Sequence, residues 1–173
     1  MPALDARRTA LVLVDLMERI VALPLAPRSG ADVVATSGRL ARAFRSAGAP
    51  VVLVRVERPG AEPQPAGGDL VPGLAHDGDT VVVKRTIGAF QGTALHELLG
   101  ERAITTLVFG GIATNLGVES TARAAGDLGY EVVFVEDALT ALTAEEHRAA
   151  VELDFPRLGT VTDASALTLD AAR

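Results

Sequence analysis

The sequence predicts an α/β fold of three layers, α-β-α. Short β-branched apolar runs alternate with alanine-rich amphipathic stretches, and most runs are apolar at consecutive positions. Consecutive apolar residues suit strands covered on both faces, as in a parallel sheet with crossover helices on either side. The strand candidates are 9–14, 50–56, 80–84, 104–109, 131–136 and 159–162. With 173 residues, 49% of them hydrophobic, the chain can bury a core as a single domain over 1–173.

The helices follow from periodicity and capping. Residues 31–47 bring Val33, Val34, Leu40, Ala43 and Phe44 near one face and stop at Gly48. Residues 115–128 start after Thr114, read as the cap, and end at Gly129. A third helix opens with Thr143 and Glu146 as a capping box and runs to about Leu153. Segment 57–78 contains Pro59, Gly60, Pro63, Pro65, Gly67, Gly68, Pro72 and Gly73, and reads as a long loop. It leaves the end of a strand, where α/β proteins bind ligands, so a lid is expected rather than a linker.

Composition excludes several classes. The chain has no cysteine, which removes disulfides, thiolate metal sites and thiol nucleophiles. A formal charge of -6 argues against a nucleic-acid partner, which requires clustered cations. Residues 1–8 lack a cationic segment leading into an apolar one, and no run approaches the ~20 apolar residues of a membrane helix. A cytoplasmic protein with no membrane contact is expected. His76, His96 and His147 lack ligand spacing and are read in surface or capping roles, and Asp77-Gly78-Asp79 reads as a turn. Neither a metal nor a cofactor is expected.

Three features can carry chemistry. Asp15 closes the apolar run 10–14, so a carboxylate sits at the C-terminal end of a buried strand, where desolvation suits a proton donor, an adjacent cation suits a base, and a helix or turn cap is the structural alternative. Lys84 closes the run 81–83 and, in a parallel sheet, reaches the same rim. Arg85 points the other way in an extended chain and is the weaker candidate. The stretch 109–119 is a strand, a glycine-containing turn and a helix start, whose free N–H groups suit a carboxylate or an oxyanion.

The order Asp15, Lys84, then Gly-Ile-Ala-Thr-Asn-Leu-Gly-Val-Glu-Ser-Thr-Ala-Arg from Gly111 resembles the isochorismatase-like, or cysteine hydrolase, family. The resemblance extends through Val-Lys-Arg-Thr-Ile-Gly-Ala-Phe-Gln-Gly-Thr-Ala-Leu from Val83 and Asp-Leu-Gly-Tyr-Glu-Val-Val-Phe-Val-Glu-Asp-Ala from Asp127, nearly the whole chain. It implies a mostly parallel six-stranded Rossmann-like sheet and a site built from an Asp, a Lys and a Cys. Asp15 and Lys84 keep their types, whereas Gly117 stands at the cysteine position, which closes the thioester route. Isochorismatases proper also carry glycine there and hydrolyse a vinyl ether. By that resemblance Asp15 protonates the enolpyruvyl methylene carbon of a small anionic substrate such as isochorismate, and Lys84 orients the acid.

The resemblance further implies a cis peptide at Ile112–Ala113, which would aim the Ala113 and Gly117 amides into the site. Phe90 follows Lys84 in the family motif and is a candidate pocket residue, with a core role the stronger reading for an aromatic side chain. Isochorismatases carry a glutamine before a proline after the second strand, where this chain has Arg58, which is read either as binding a substrate carboxylate or as a solvated loop residue. The histidines of metal-dependent nicotinamidase relatives are absent from that region. Ser120 and Thr121 lack an evident base and are not read as replacement nucleophiles. A homo-oligomer, dimer or tetramer, is implied. The competing reading is a family member that has lost catalysis and binds a ligand or a protein partner.

Overall fold

In the computed structural model, which describes residues 3–170, the strands in chain order are β1 (Leu4–Asp5), β2 (Thr9–Val14), β3 (Val51–Val56), β4 (Thr80–Lys84), β5 (Thr106–Ile112), β6 (Glu131–Thr140), β7 (Thr160–Thr162) and β8 (Leu169–Asp170). Met1 and Pro2, part of the segment read for a leader, lie outside the described residues. Six strands form one sheet in the order β4-β3-β2-β5-β6-β7, every neighbouring pair parallel. The short strands β1 and β8 pair separately, also in parallel, and were not anticipated. Strand order reverses between β2 and β5, the switch point at which open α/β sheets leave a crevice beyond their carboxyl ends.

The helices are α1 (Glu18–Val21), α2 (Gly30–Ala47), α3 (Leu95–Glu101), α4 (Glu119–Asp127), α5 (Ala144–Ala149) and α6 (Phe155–Leu158). Side-chain alternation along β2 divides the core. Ala10, Val12 and Val14 face Leu95 and Leu99 of α3, Ala122 and Ala125 of α4, and Phe155 of α6. Leu11 and Leu13 face Val33, Leu40 and Phe44 of α2. Ser29 and Asp32 form a capping box at the start of α2, and Gly48, at φ 78°, ends it in the left-handed region. The Thr143–Glu146 box at the start of α5 forms as the sequence predicts.

Two strands outrun their predicted ends, each for a local reason. β5 continues through Gly110 and Gly111 because the missing side chains let β2 and β6 approach. A Cβ on Gly110 would stand 3.1 Å from Leu13 Cδ2, and one on Gly111, at φ 126°, would overlap the Val14 carbonyl. β6 reaches Thr140 by bulging: Phe109 faces Phe134, but Gly111 already faces Leu139, so residues 135–138 have fewer partners than positions. That irregularity erases the alternation a strand would show.

Thr114 is not the cap that the sequence suggested. The helical path opens with a wide π-helical turn, Thr114–Val118, that runs directly into α4, and no side chain caps its start. Asp77-Gly78-Asp79 does more than turn the chain, since the Asp79 carboxylate is buried in an ion pair with Arg45 at 2.6 Å. Among the described residues, no helix is long and apolar enough to cross a membrane. Gly111→Ala should destabilise the fold by about 3 kcal/mol, the upper part of the overpacking range, because the backbone of β2 cannot yield as a side chain would. Urea unfolding tests this, and an unchanged midpoint would show that the β2–β5 contact tolerates a methyl group.

Candidate active site

Asp15 stands one residue past β2 with φ 55°, a left-handed conformation that asparagine and aspartate tolerate better than most residues. Its amide still donates to the Val54 carbonyl at 2.9 Å, and its own carbonyl accepts from Met17 N–H at 2.8 Å. The turn is therefore fixed by backbone bonds on both sides. Lys84 ends β4, two strands away in the sheet. Strands lie about 4.8 Å apart, so the lysine stem has to span the end of β3 to reach the acid.

It does reach. Lys84 Nζ lies 2.7 Å from Asp15 Oδ2, and the ammonium also donates to the Ile87 carbonyl at 2.6 Å. Both residues are buried, at 6% and 2% exposure. Asp15 Oδ1 is buried without a hydrogen-bond partner. Burial pushes the Asp15 carboxyl above the usual carboxylate range, outweighing the opposing pull of Lys84 and of Arg19. An ammonium has three donors, so one remains after Asp15 and Ile87 are served.

Gly117 lies in the π-helical turn directly against this pair. A Cβ built there would sit 3.0 Å from Lys84 Nζ, 3.1 Å from Val14 Cγ1 and 3.2 Å from Asp15 Oδ2. The turn thus presents backbone where a side chain would touch both charges. Thr121 Oγ1 donates to the Gly117 carbonyl at 2.6 Å and accepts from Ala89 N–H at 3.0 Å, which commits that hydroxyl to positioning the turn. The Ile112–Ala113 peptide is cis, as expected.

These residues border a cavity of about 450 Å³. Asp15, Lys84, Ala113, Gly117, Arg58 and Arg85 all line it. Phe90 does not. Its ring stacks on Tyr130 at 5.9 Å and meets His96 edge-on at 6.5 Å, outside the cavity, because the chain after Ile87 turns toward α3 and α4. Arg85 pairs with Glu57 at 2.8 Å. The backbone of Arg58 is clasped by Gln64, which accepts from its N–H at 2.8 Å and donates to its carbonyl at 3.0 Å. Of the long loop, Glu57, Arg58 and Pro59 touch the cavity, whereas Gly67 and Asp69 are bonded to the backbone of α1.

His147 is the residue that sequence reading misjudged. It is buried rather than at the surface, with Nδ1 2.8 Å from Thr114 Oγ1 and Nε2 3.0 Å from Glu136 Oε1. Arg28 grips the same carboxylate with two bonds of 3.0 Å. Burial alone would raise Glu136, but the bonds from His147 and Arg28 prevail and hold its carboxyl below its ordinary value. The local signal was the charged pair Glu136-Asp137 interrupting an apolar run in β6.

Residues 9–166 match the isochorismatase domain. The uncharacterized isochorismatase family protein YecD of Escherichia coli O157:H7 is 40% identical over 177 residues, covering 91% of this chain and 93% of that protein. The solved structure of an isochorismatase family protein from Burkholderia thailandensis superposes with a TM-score of 0.84 at 38% identity, covering 96% of each chain. A shorter match, 42% identical over 90 residues, covers 50% of this chain and 36% of the ureidoacrylate amidohydrolase RutB of Variovorax paradoxus (strain S110).

Two outcomes follow from this geometry. The thiol introduced by Gly117→Cys should titrate well below the ordinary value of about 8.5, since it would stand beside the Lys84 ammonium. Thiolate absorbance reads this cleanly in a chain with no other cysteine, and a value near 8.5 would contradict the placement. Glu136, with its folded pKa lowered, contributes stability that is complete above its ordinary value of 4.5 and is lost as pH falls through the folded value. The stability gap between the native chain and Glu136→Gln should therefore hold steady near neutral pH and narrow below about pH 4. A gap independent of pH would remove the charge from the explanation.

Proposed function

Because the chain belongs to the isochorismatase family, we propose that it is a hydrolase working without a thiol, and that it cleaves the vinyl ether of a small anionic substrate such as isochorismate. The observation that carries the proposal is the contact at Gly117: a buried carboxyl group and a cation meet where no nucleophilic side chain exists. Acyl transfer through a thioester has no group to begin it. Vinyl ether hydrolysis needs none, since it begins with proton transfer to carbon.

In this reading Asp15 is the general acid. Its proton passes to the terminal methylene carbon of the enolpyruvyl group, and the π electrons of the vinyl bond form the new C–H bond. The resulting oxocarbenium ion takes up water, which returns a proton, and the hemiketal collapses to pyruvate and the alcohol. Burial favours the neutral acid that this step consumes, although the Lys84 ammonium opposes it. Lys84 holds the Asp15 carboxyl in place and offers its remaining N–H to a substrate oxygen. Arg58, at the mouth, takes the substrate carboxylate through its guanidinium fork.

The apolar rim supports a second element of the proposal. Leu23, Ile87, Leu116 and Leu142 border the cavity and are 43–63% exposed. A second copy of the chain packing over this face would cover them, which fits a homo-oligomer. Sedimentation as a monomer at micromolar concentration would count against it.

The decisive assay is pyruvate release from isochorismate, comparing the native chain with Asp15→Asn, because asparagine tolerates the left-handed backbone at this position. The expected loss is about 10²-fold to 10⁴-fold, the usual weight of a general acid. No release by the native chain would remove isochorismate as the substrate and favour a ligand-binding protein. Release undiminished in the variant would remove Asp15 as the acid.

A further inference from the structure

One wall of the cavity is assembled from three segments remote in sequence. Leu23 comes from the loop between α1 and α2, Leu116 and Gly117 from the π-helical turn, and Leu142 from the connection between β6 and α5. Two of these segments are tied to the Glu136 carboxylate in the β6 bulge, the first directly and the π-helical turn through His147. Arg28, at the end of the first loop, holds it with two bonds of 3.0 Å. His147 of α5 holds it through Nε2 at 3.0 Å, and the other ring nitrogen reaches Thr114, the first residue of the π-helical turn, at 2.8 Å. Thr140 adds a second clasp, accepting from Arg28 N–H at 3.2 Å and donating to the Arg28 carbonyl at 2.8 Å.

We propose that His147 and Glu136 are positioning residues for the active site, fixing the turn that carries Gly117 against the Asp15–Lys84 pair by holding the Thr114 hydroxyl. The direction of the bond to Glu136 follows from chemistry. A carboxylate only accepts, so His147 Nε2 carries hydrogen toward Glu136, and Nδ1 shares a hydrogen bond with the Thr114 hydroxyl, which can donate or accept. The sequence hydroxyl, imidazole, carboxylate has the connectivity of an activated nucleophile, but Thr114 is 0% exposed and does not line the cavity. Its oxygen meets no substrate. What the relay supplies is a fixed starting point for a turn whose fourth residue has no side chain to anchor it.

The inference rests on reading the Asp15–Lys84 cavity as the active site, but not on any particular substrate. It is tested in the Gly117→Cys background, where the thiol pKa reports the distance from the turn to Lys84. Adding His147→Ala should raise that pKa by at least about half a unit, as expected when a thiolate moves an ångström or more from its cation. Thr114→Val, which keeps the buried shape and removes only the hydroxyl, should do the same, and it decides the matter if His147→Ala fails to fold. His147→Gln should restore the original value, since its amide can donate to Glu136 and accept from Thr114.

A loss of packing alone would not be rescued by glutamine. Thiol pKa values unchanged by Thr114→Val in a folded chain would overturn the inference, as would a rise that His147→Gln leaves in place. If Gly117→Cys alone titrates like a free thiol, the placement of the turn beside Lys84 fails, and this inference falls with it. The absence of pyruvate release, by contrast, would defeat the substrate assignment and leave the thiol result standing.

Discussion

A buried ammonium has to be neutralised where it stands, and much of the arrangement around Lys84 answers to that requirement. Removing one partner from a buried ion pair costs about 3–5 kcal/mol, because the remaining charge is left without solvent or counterion. Lys84 meets the requirement with Asp15 Oδ2 and the Ile87 carbonyl. Satisfying it across the width of β3 demands that β2 and β4 flank that strand in register, that the chain bend at Asp15, and that the segment after β4 fold back to present Ile87. Sheet order, the left-handed residue at 15 and the loop after Lys84 are thus parts of one electrostatic solution.

The same solution sets the chemical character of the site. Desolvation raises Asp15, whereas Lys84 works to keep it ionised, and burial prevails. With glycine at 117, neither charge is employed in activating a nucleophile. In the proposed reading the two groups handle a proton and an oxygen, the combination that hydrolysis of a vinyl ether uses.

The parts of this arrangement legible in the sequence were those encoded locally. Asp15 and Lys84 each end an apolar run, so strand periodicity alone brought them to one rim. The Ser29 and Thr143 ends are short-range hydrogen-bond patterns, although only the second was read as a capping box. Thr114 was misread for the opposite reason. A hydroxyl before a helix resembles a cap, and nothing nearby reveals that a histidine 33 residues away takes it instead. β5 crosses two glycines that propensity would treat as an ending, because the deciding fact is how closely β2 approaches. Phe90 was offered for the pocket only through the family motif, and the path after Ile87 carries it instead to Tyr130 and His96, the packed role that its aromatic side chain favoured.

Gly117 makes the long-range ties more consequential than they would be around a larger residue. Glycine in a helical interior is less favourable than alanine by about 1 kcal/mol, mostly through the backbone freedom it keeps when unfolded. A side chain at 117 would wedge the turn against Val14 and the charged pair, whereas glycine offers no such contact. The turn is held instead from its two ends. Thr121 binds the Gly117 carbonyl and links it to Ala89, in the same loop that supplies Ile87 to Lys84. At the other end, Thr114 is held by His147, and through Glu136 by Arg28. A site with no side chain at its centre is thereby kept in shape by hydrogen bonds at its margins. Those bonds come from elements that only the folded chain brings together.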